Sequence, residues 1–457
     1  MIIGNFIKGI ELKNKNYHFS GLCFNSAKCK KDNIFFAIKG TKIDGNKFIN
    51  DAIQKGAKII ISNLKFEGIK KNTLFIKSTN VRKTLSEFAY KIHKNKPKNI
   101  IAVTGTNGKS SVADFYFQIL KLNKKRVASI GTLGIKTQNY IRKVSNTTID
   151  PITLSIVLNK LKKEKINNVI LEASSHGLKQ NRLDGLEFKT GIFTNLSHDH
   201  LDYHKTFSDY LESKLYLFKK LLKKNANIIT DIEIPQYGRI KKIALKNRFN
   251  IKTISNNKGN LEIVSHEYRD GNQIVNIKYN KNIYKFETKL IGKIQIKNIL
   301  MAMIAATKSK LSFRKIISTI KNLKPASGRL EQIGSIKNNS KVILDYAHTP
   351  DALETSLKNL KDQFKNSKIS IVFGCGGDRD KAKRPMMGKI ANKYCDKVYL
   401  TDDNPRYENP IKIRNSIKKN INRSKINEIS NRANAINKAI FDLKTGDILI
   451  VAGKGHE

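Results

Sequence analysis

The sequence predicts an α/β protein of three consecutive domains, and three observations predict it. Short apolar runs alternate with amphipathic stretches along most of the 457 residues. A glycine loop joins one such run to a helical stretch at Gly105–Gly108. Breakers interrupt the pattern at Pro97 and at Pro325-Ala326-Ser327-Gly328. At roughly 100–200 residues per domain, this length suits two to four domains.

The first block, to Pro97, holds β-type runs at Ile34–Ile38 and Lys58–Ile61, separated by turn signals at Gly40 and Gly45. The basic stretch Lys91–Lys98 reads as a linker. The second block opens on a buried-type strand, Ile100–Val103, followed by the glycine loop and an amphipathic segment from Ser110 to Leu122. Further strands are expected at Val169–Leu171 and Gly191–Phe193, giving a largely parallel sheet. Residues Asn260–Leu290 alternate as β structure and suggest a small antiparallel insertion. The third block carries strand-like runs at Val342–Leu344, Ile369–Phe373, Val398–Leu400 and Ile448–Val451, with helical stretches between them. It reads as a second doubly wound domain.

Composition excludes several classes. The 39% hydrophobic share allows each domain a core, which is incompatible with a disordered chain. No apolar run reaches the length of a membrane span, and Met1–Lys13 lacks a secretory pattern, so a cytoplasmic protein is expected. Cys23, Cys29, Cys375 and Cys395 form no C-x-x-C pair and read as thiols of a reducing compartment. The 87 Lys+Arg against 37 Asp+Glu give +50, which raises nucleic-acid binding as a possibility. The lysines run from Lys8 to Lys454 without forming an arm, so the charge reads as a whole-chain Lys/Asn/Ile bias.

Thr104-Gly105-Thr106-Asn107-Gly108-Lys109-Ser110-Ser111 has the character of a phosphate loop. Glycines let backbone N–H groups face phosphate oxygens, Lys109 can reach the β/γ-phosphates, and the Ser110 hydroxyl can ligate Mg²⁺. The spacing is shorter than the general Walker pattern, since Val103 stands where that pattern wants glycine. Glu172 follows an apolar strand. His176, His198, His200 and His204 cluster downstream, where a carboxylate and an imidazole at neighbouring strand ends could hold a divalent cation beside ATP. Lys214, on the amphipathic Tyr210–Phe218 stretch, reads from spacing alone as one more solvated lysine. In the third block, polar clusters at Asp345–Asp351, Gly374–Lys381, Thr401–Arg406 and Ala452–Glu457 each follow a strand, on the face where open α/β sheets bind ligands. Arg379 and Arg406 with nearby acids suggest a site for a zwitterionic amino acid.

Taken in order, these motifs resemble the Mur ligase family of ATP-dependent amide-forming enzymes over essentially the whole chain. They are GTNGKSS at Gly105–Ser111, Asn146-Thr147-Thr148, EASSHGL at Glu172–Leu178 and FTNLSHDHLDYH at Phe193–His204. GRLE at Gly328–Glu331, DYAHTP at Asp345–Pro350, GCGGDRDKAKR at Gly374–Arg384, DNPR at Asp403–Arg406 and GKGHE at Gly453–Glu457 follow. The resemblance implies a central P-loop mononucleotide-binding α/β domain (98–325), an N-terminal α/β UDP-binding domain (1–97) and a C-terminal Rossmann-like amino-acid domain (326–457). Relatives continue for some tens of residues past this ending, so the last domain is expected to be truncated.

The resemblance also implies roles. Phe24 and Ser26 match nucleotide-sugar contacts, although Asn25-Ser26-Ala27 replaces the usual Asp-Ser-Arg. Asn146, Thr147, Thr148, Ser174, Gln180 and Arg182 match the hold on the muramyl-peptide. Gly105, Thr106, Asn107, Gly108, Lys109, Ser110, Ser111, Asn298, Arg329 and Asp345 match ATP contacts. Ser110, Glu172 and His200 match ligands of Mg²⁺, and Lys214 matches a lysine whose carbamate helps hold a second Mg²⁺. Lys109, Glu172, His200 and Lys214 are therefore the implied catalytic set. Arg379, Asp403, Asn404, Pro405, Arg406, Gly453 and Glu457 match the site for the incoming amino acid. DNPR accompanies meso-diaminopimelate in the family, so the implied step joins that amino acid to the D-Glu γ-carboxylate of UDP-MurNAc-L-Ala-D-Glu. The same step with L-lysine, and a folylpolyglutamate-synthase-like reaction, are the alternatives. The implied partners are these small molecules and ATP, with a monomeric chain and no nucleic acid or membrane partner.

Overall fold

A computed structural model describes residues 1–7, 11, 14–40, 43–336 and 339–455. Three sheets organise the chain in sequence order. The first has five strands in the spatial order Gly21–Cys23, Asn33–Phe36, Ile59–Ser62, Thr73–Lys77 and Gly68–Lys70, all parallel except the last. The parallel order follows from β-branched runs such as Ile59-Ile60-Ile61, which are buried on both faces.

The second sheet has eleven strands, centred on Asn99–Thr104 between Asn168–Glu172 and Phe188–Phe193. Every residue of Asn99–Thr104 is buried, as a central parallel strand requires. Helices Lys109–Leu122 and Lys293–Thr307 cover one face and share one core. Pro151–Lys163 and Phe207–Tyr216 cover the other. The antiparallel strands expected at Asn260–Leu290 are present, but they extend this sheet rather than forming a separate insertion. Leu261–Arg269 pairs parallel with Asn250–Ser255, and Asn272–Tyr279 and Asn282–Thr288 add antiparallel at the edge.

The third sheet runs Glu331–Ser335, Lys341–Asp345, Ile448–Ala452, Ile369–Phe373, Lys397–Leu400 and Ile426–Glu428, antiparallel only at its first pair. Helices Pro350–Gln363 and Lys383–Tyr394 pack on one face, and Arg432–Phe441 packs on the other.

Two expectations are corrected. The stretch Lys91–Lys98 is not wholly a linker, because helix Val81–Ile92 takes up its start. That helix is tied to the central sheet's loops: Ser86 Oγ donates to Asn181 O at 2.5 Å and Tyr90 Oη to Arg182 O at 2.8 Å. The four cysteines are not all thiols, because Cys23 and Cys29 form a disulfide. A 3₁₀ turn at Ser26–Lys28 folds the six-residue separation back on itself and sets the two Cα atoms 5.6 Å apart. Cys375 and Cys395 are buried free thiols. No helix among the described residues is long and apolar enough to cross a membrane.

Candidate active site between the central and C-terminal sheets

The loop after Asn99–Thr104 turns on two glycines with positive φ, Gly105 at +147° and Gly108 at +86°. A Cβ at Gly105 would lie 1.9 Å from Thr194 Oγ1, so no other residue lets the loop lie this close to the neighbouring strand end. Asn195 Oδ1 accepts from Asn107 N at 2.9 Å and Thr194 Oγ1 donates to Asn107 O at 2.6 Å, which holds the loop open. Lys109 Nζ donates back to Gly105 O at 3.0 Å and Thr106 O at 2.8 Å, at the mouth of helix Lys109–Leu122. Desolvation holds its amine below the ordinary lysine range.

Glu172, at the end of its strand, is only 2% exposed. Its Oε2 accepts from Ser110 Oγ at 3.0 Å and its Oε1 from Thr132 N at 2.9 Å. Ser110 and Glu172 thus present adjacent hard oxygen donors beside the loop. Among the described residues, no group of three or more His, Cys, Asp or Glu side chains stands close enough to hold a metal ion. This donor set fits an Mg²⁺ shared with phosphate oxygens and water, which is how that ion is usually bound.

The reading of Lys214 as solvated is overturned. It is 1% exposed, its Nζ donates to Gly105 O at 2.6 Å, and it lies 4.4 Å from the centre of the Tyr210 ring. Burial first, and the nearby Lys109 charge second, push its amine far below the ordinary range. The helix Phe207–Tyr216 turns this position inward under the phosphate loop, which spacing could not show.

His200 sits in the left-handed region at φ +55°, with Asp199 Oδ2 3.2 Å from its Nε2. Burial drives its imidazole down to about 3, so it is neutral at physiological pH. His176 meets it edge-on at 4.8 Å and stacks on Tyr203 at 4.1 Å. Thr148 Oγ1 donates to Glu172 O at 2.8 Å and lies 3.0 Å from Ser174 Oγ, while Thr147 Oγ1 lies 3.0 Å from Thr132 Oγ1. Arg182 donates to Gln180 Oε1 at 2.8 and 3.1 Å and to Thr148 O. The Thr147, Thr148, Ser174, Gln180 and Arg182 set is therefore assembled beside Glu172. Asn146 is exposed and, with Thr147, lines a neighbouring cavity of about 870 Å³.

Asn298, Arg329 and Asp345 meet Asn107, Gly108 and Ser111 around a cavity of about 100 Å³. Arg329 lies over the Tyr346 ring at 4.4 Å, and its Nη2 is 3.5 Å from Ser110 Oγ. Asp345 is buried and accepts from Leu330 N at 2.7 Å, Ala347 N at 2.9 Å and Ser356 Oγ at 3.1 Å. Burial raises its carboxyl, against the opposing pull of Arg329.

A second cavity of about 260 Å³ joins Asp199 and His200 to Arg379, Asp403, Arg406 and Gly453. Arg406 Nη1 donates to Gly377 O at 2.7 Å, and Gly377 N donates to Asn404 O at 2.9 Å. Asn404 and Pro405 shape this turn, while Arg379 reaches across to Asp202 at 3.5 Å and is 52% exposed. Glu457 lies outside the described residues. Phe24 and Ser26 stand apart, at the end of the edge strand Gly21–Cys23. There Asn25 Oδ1 caps the turn by accepting from Ala27 N at 2.9 Å.

Three contacts had no signal of their own in the sequence. Thr132 shares Glu172. His198 Nε2 lies 2.8 Å from Asp380 Oδ2, and Asn107 Nδ2 donates to Asp351 Oδ2 at 3.0 Å. The last two join the phosphate side to the C-terminal sheet. His198 and Asp351 fall within clusters that the sequence singles out, but nothing in it pairs them with Asp380 and Asn107.

This architecture defines a three-part ligase, and family models agree. "Mur ligase family, catalytic domain" matches residues 18–98, "Mur ligase middle domain" residues 103–306 and "Mur ligase, glutamate ligase domain" residues 328–455. The chain belongs to the Mur ligase family. Among its relatives, the UDP-N-acetylmuramoyl-L-alanyl-D-glutamate--2,6-diaminopimelate ligase of Rickettsia conorii is 40% identical over 449 residues, covering 97% of this chain and 92% of the relative. The enzyme of the same name from Chelativorans sp. is 39% identical over 438 residues, covering 96% and 90%. A solved structure bearing that name is 32% identical with a TM-score of 0.74, covering 100% of this chain and 94% of the other. A folylpolyglutamate synthase of Mycobacterium tuberculosis complexed with ADP shares the fold at 14% identity, with a TM-score of 0.69 over 82% of this chain and 92% of the other.

Proposed function

We propose that the protein is the cytoplasmic ligase that uses ATP to join meso-2,6-diaminopimelate to the D-Glu γ-carboxylate of UDP-MurNAc-L-Ala-D-Glu. Residues 1–97 take the UDP portion, 98–325 take ATP and 326–457 take the amino acid. The observation that carries the reading is the 260 Å³ cavity, where the phosphate-side His200 and the C-terminal Arg406 face one space.

The γ-carboxylate attacks the ATP γ-phosphate to give an acyl phosphate and ADP. The diaminopimelate amine then attacks the acyl carbon and phosphate leaves. The loop N–H groups and Lys109 hold the phosphates, and Arg329, 3.5 Å from Ser110 Oγ, adds its charge to them. The set from Thr147 to Arg182 orients the muramyl-peptide beside Glu172. Ser110, Glu172 and His200 would hold Mg²⁺, which supplies charge neutralisation on the transferring phosphoryl group. A neutral Lys214 amine is the form that adds CO₂, so its lowered proton affinity supports the carbamate role, and the carbamate would help hold a second Mg²⁺. Arg406 is the guanidinium available to the distal carboxylate of diaminopimelate.

Phosphate release with UDP-MurNAc-L-Ala-D-Glu, ATP and Mg²⁺ tests this. Turnover is expected with meso-diaminopimelate and far less with L-lysine. A preference for lysine would refute the role given to Arg406.

A further inference from the structure

The loop that presents Arg406 is held from behind by an ion pair with no assigned role. Arg384, at the start of helix Lys383–Tyr394, is only 4% exposed. Its Nη1 donates to Glu408 Oε2 at 3.0 Å and its Nη2 to Glu408 Oε1 at 2.9 Å, a bidentate pair. Nη2 also lies 3.4 Å from Gly376 O. Glu408 Oε1 accepts in addition from Asp378 N at 2.5 Å, and Asp378 Oδ2 accepts from Tyr407 N at 3.0 Å. Two loops from different strand ends, 374–382 and 401–409, are thereby joined directly by the Asp378–Glu408 and Asp378–Tyr407 hydrogen bonds, and again through Arg384, which reaches both Glu408 and Gly376.

Arg406 needs such a hold. Its backbone is left-handed at φ +50°, as is that of Asp378 at +50°, an arrangement costly for residues with a side chain. The fit leaves no slack, because a Cβ at Gly377 would lie 1.9 Å from Pro405 O and one at Gly376 2.8 Å from Arg406 Nη1. The hydrogen bonds from Arg384 hold the Glu408 carboxyl down at about 2, so the pair stays charged across the working pH range.

We infer that Arg384 and Glu408 are positioning residues that set the direction of the Arg406 guanidinium and so the recognition of a dicarboxylic amino acid. This inference rests on the proposed function. Neither residue is among those lining the 260 Å³ cavity. Both act through the Asp378–Tyr407 and Arg406–Gly377 contacts. A misplacement of about 1 Å in a binding group is enough for a large loss of rate or affinity.

The test is steady-state phosphate release by wild type, Arg406→Ala, Glu408→Gln, Glu408→Asp and Arg384→Lys, with each substrate varied in turn. Glu408→Gln is expected to raise KM for meso-diaminopimelate roughly tenfold. KM for ATP and for the UDP-muramyl-dipeptide should stay within about twofold of wild type, and the preference for diaminopimelate over lysine should narrow. Glu408→Asp should recover part of the loss. An unchanged KM for diaminopimelate, or an equal rise for all three substrates with a fall in Tm, overturns the inference. If Glu408→Gln does not fold, the Arg384→Lys variant, which keeps the charge but loses the fork, is read by the same criteria. Wild type that ignores diaminopimelate overturns the proposed function itself. Wild type and Arg406→Ala behaving as proposed, with Glu408→Gln silent, overturns only the positioning role.

Discussion

The proposed phosphate side and the proposed amino-acid side of the cleft are built on different principles. The phosphate side is interior. Lys214 and Glu172 are almost wholly buried, and the loop is held by Thr194 and Asn195 of the next strand end. The amino-acid side is laced by charges on loops, with Arg379 half exposed and the Arg384–Glu408 pair behind Arg406. A site for a constant group such as triphosphate can be fixed by backbone and burial. A site that selects among amino acids rests on side-chain charges, which are altered with less harm to the core.

The contrast predicts a gradient of effects. Replacing Lys109 or Lys214 by Ala is expected to cost about 100- to 1000-fold or more in kcat, with the fold intact by circular dichroism. Loss confined to KM would break the assignment of the phosphate side as transition-state machinery. Arg406→Ala should act in the opposite sense, raising KM for diaminopimelate roughly 10- to 100-fold while leaving KM for ATP near wild type. Asp380→Asn replaces the carboxylate that faces His198 between the two sides, and a change of about two- to fivefold in kcat is expected, read from the same assay.

The smallest effect concerns acid stability. The folded carboxyl of Glu408 lies at about 2 against an ordinary 4.5, so it contributes stability above pH 4.5 that is lost as pH falls toward 2. Glu408→Gln should therefore unfold at a lower temperature than wild type at pH 6, and the gap should close between pH 4.5 and 2. A gap independent of pH would mean that charge is not what the pair supplies.

Much of this molecule was legible in the sequence. Ile100–Val103 and Ile448–Val451 are unbroken apolar runs, so their places at sheet centres, and the polar clusters that follow them, could be read directly. The motifs carried the family. Lys214 was not legible from spacing, because its burial depends on the glycine loop lying over it, and a helix rich in Leu and Tyr does not reveal which residue faces that loop. The Cys23–Cys29 disulfide depends on a 3₁₀ turn that leaves no cysteine signature. The partners Asp202 for Arg379 and Asp380 for His198 are set by how two sheets meet, which no local pattern encodes. The +50 charge proved less informative than the motifs, since the Lys and Arg side chains lining the two cavities between the central and C-terminal sheets are Arg329, Arg379, Lys383 and Arg406.

The central claim is that both sides of one cleft serve a single ligation through an acyl phosphate. Labelling the D-Glu γ-carboxylate of UDP-MurNAc-L-Ala-D-Glu with oxygen-18 tests it most directly, by mass spectrometry of the phosphate released as diaminopimelate is joined. The account predicts one labelled oxygen transferred to phosphate for each amide formed. Unlabelled phosphate, released at the same rate without diaminopimelate, would contradict it.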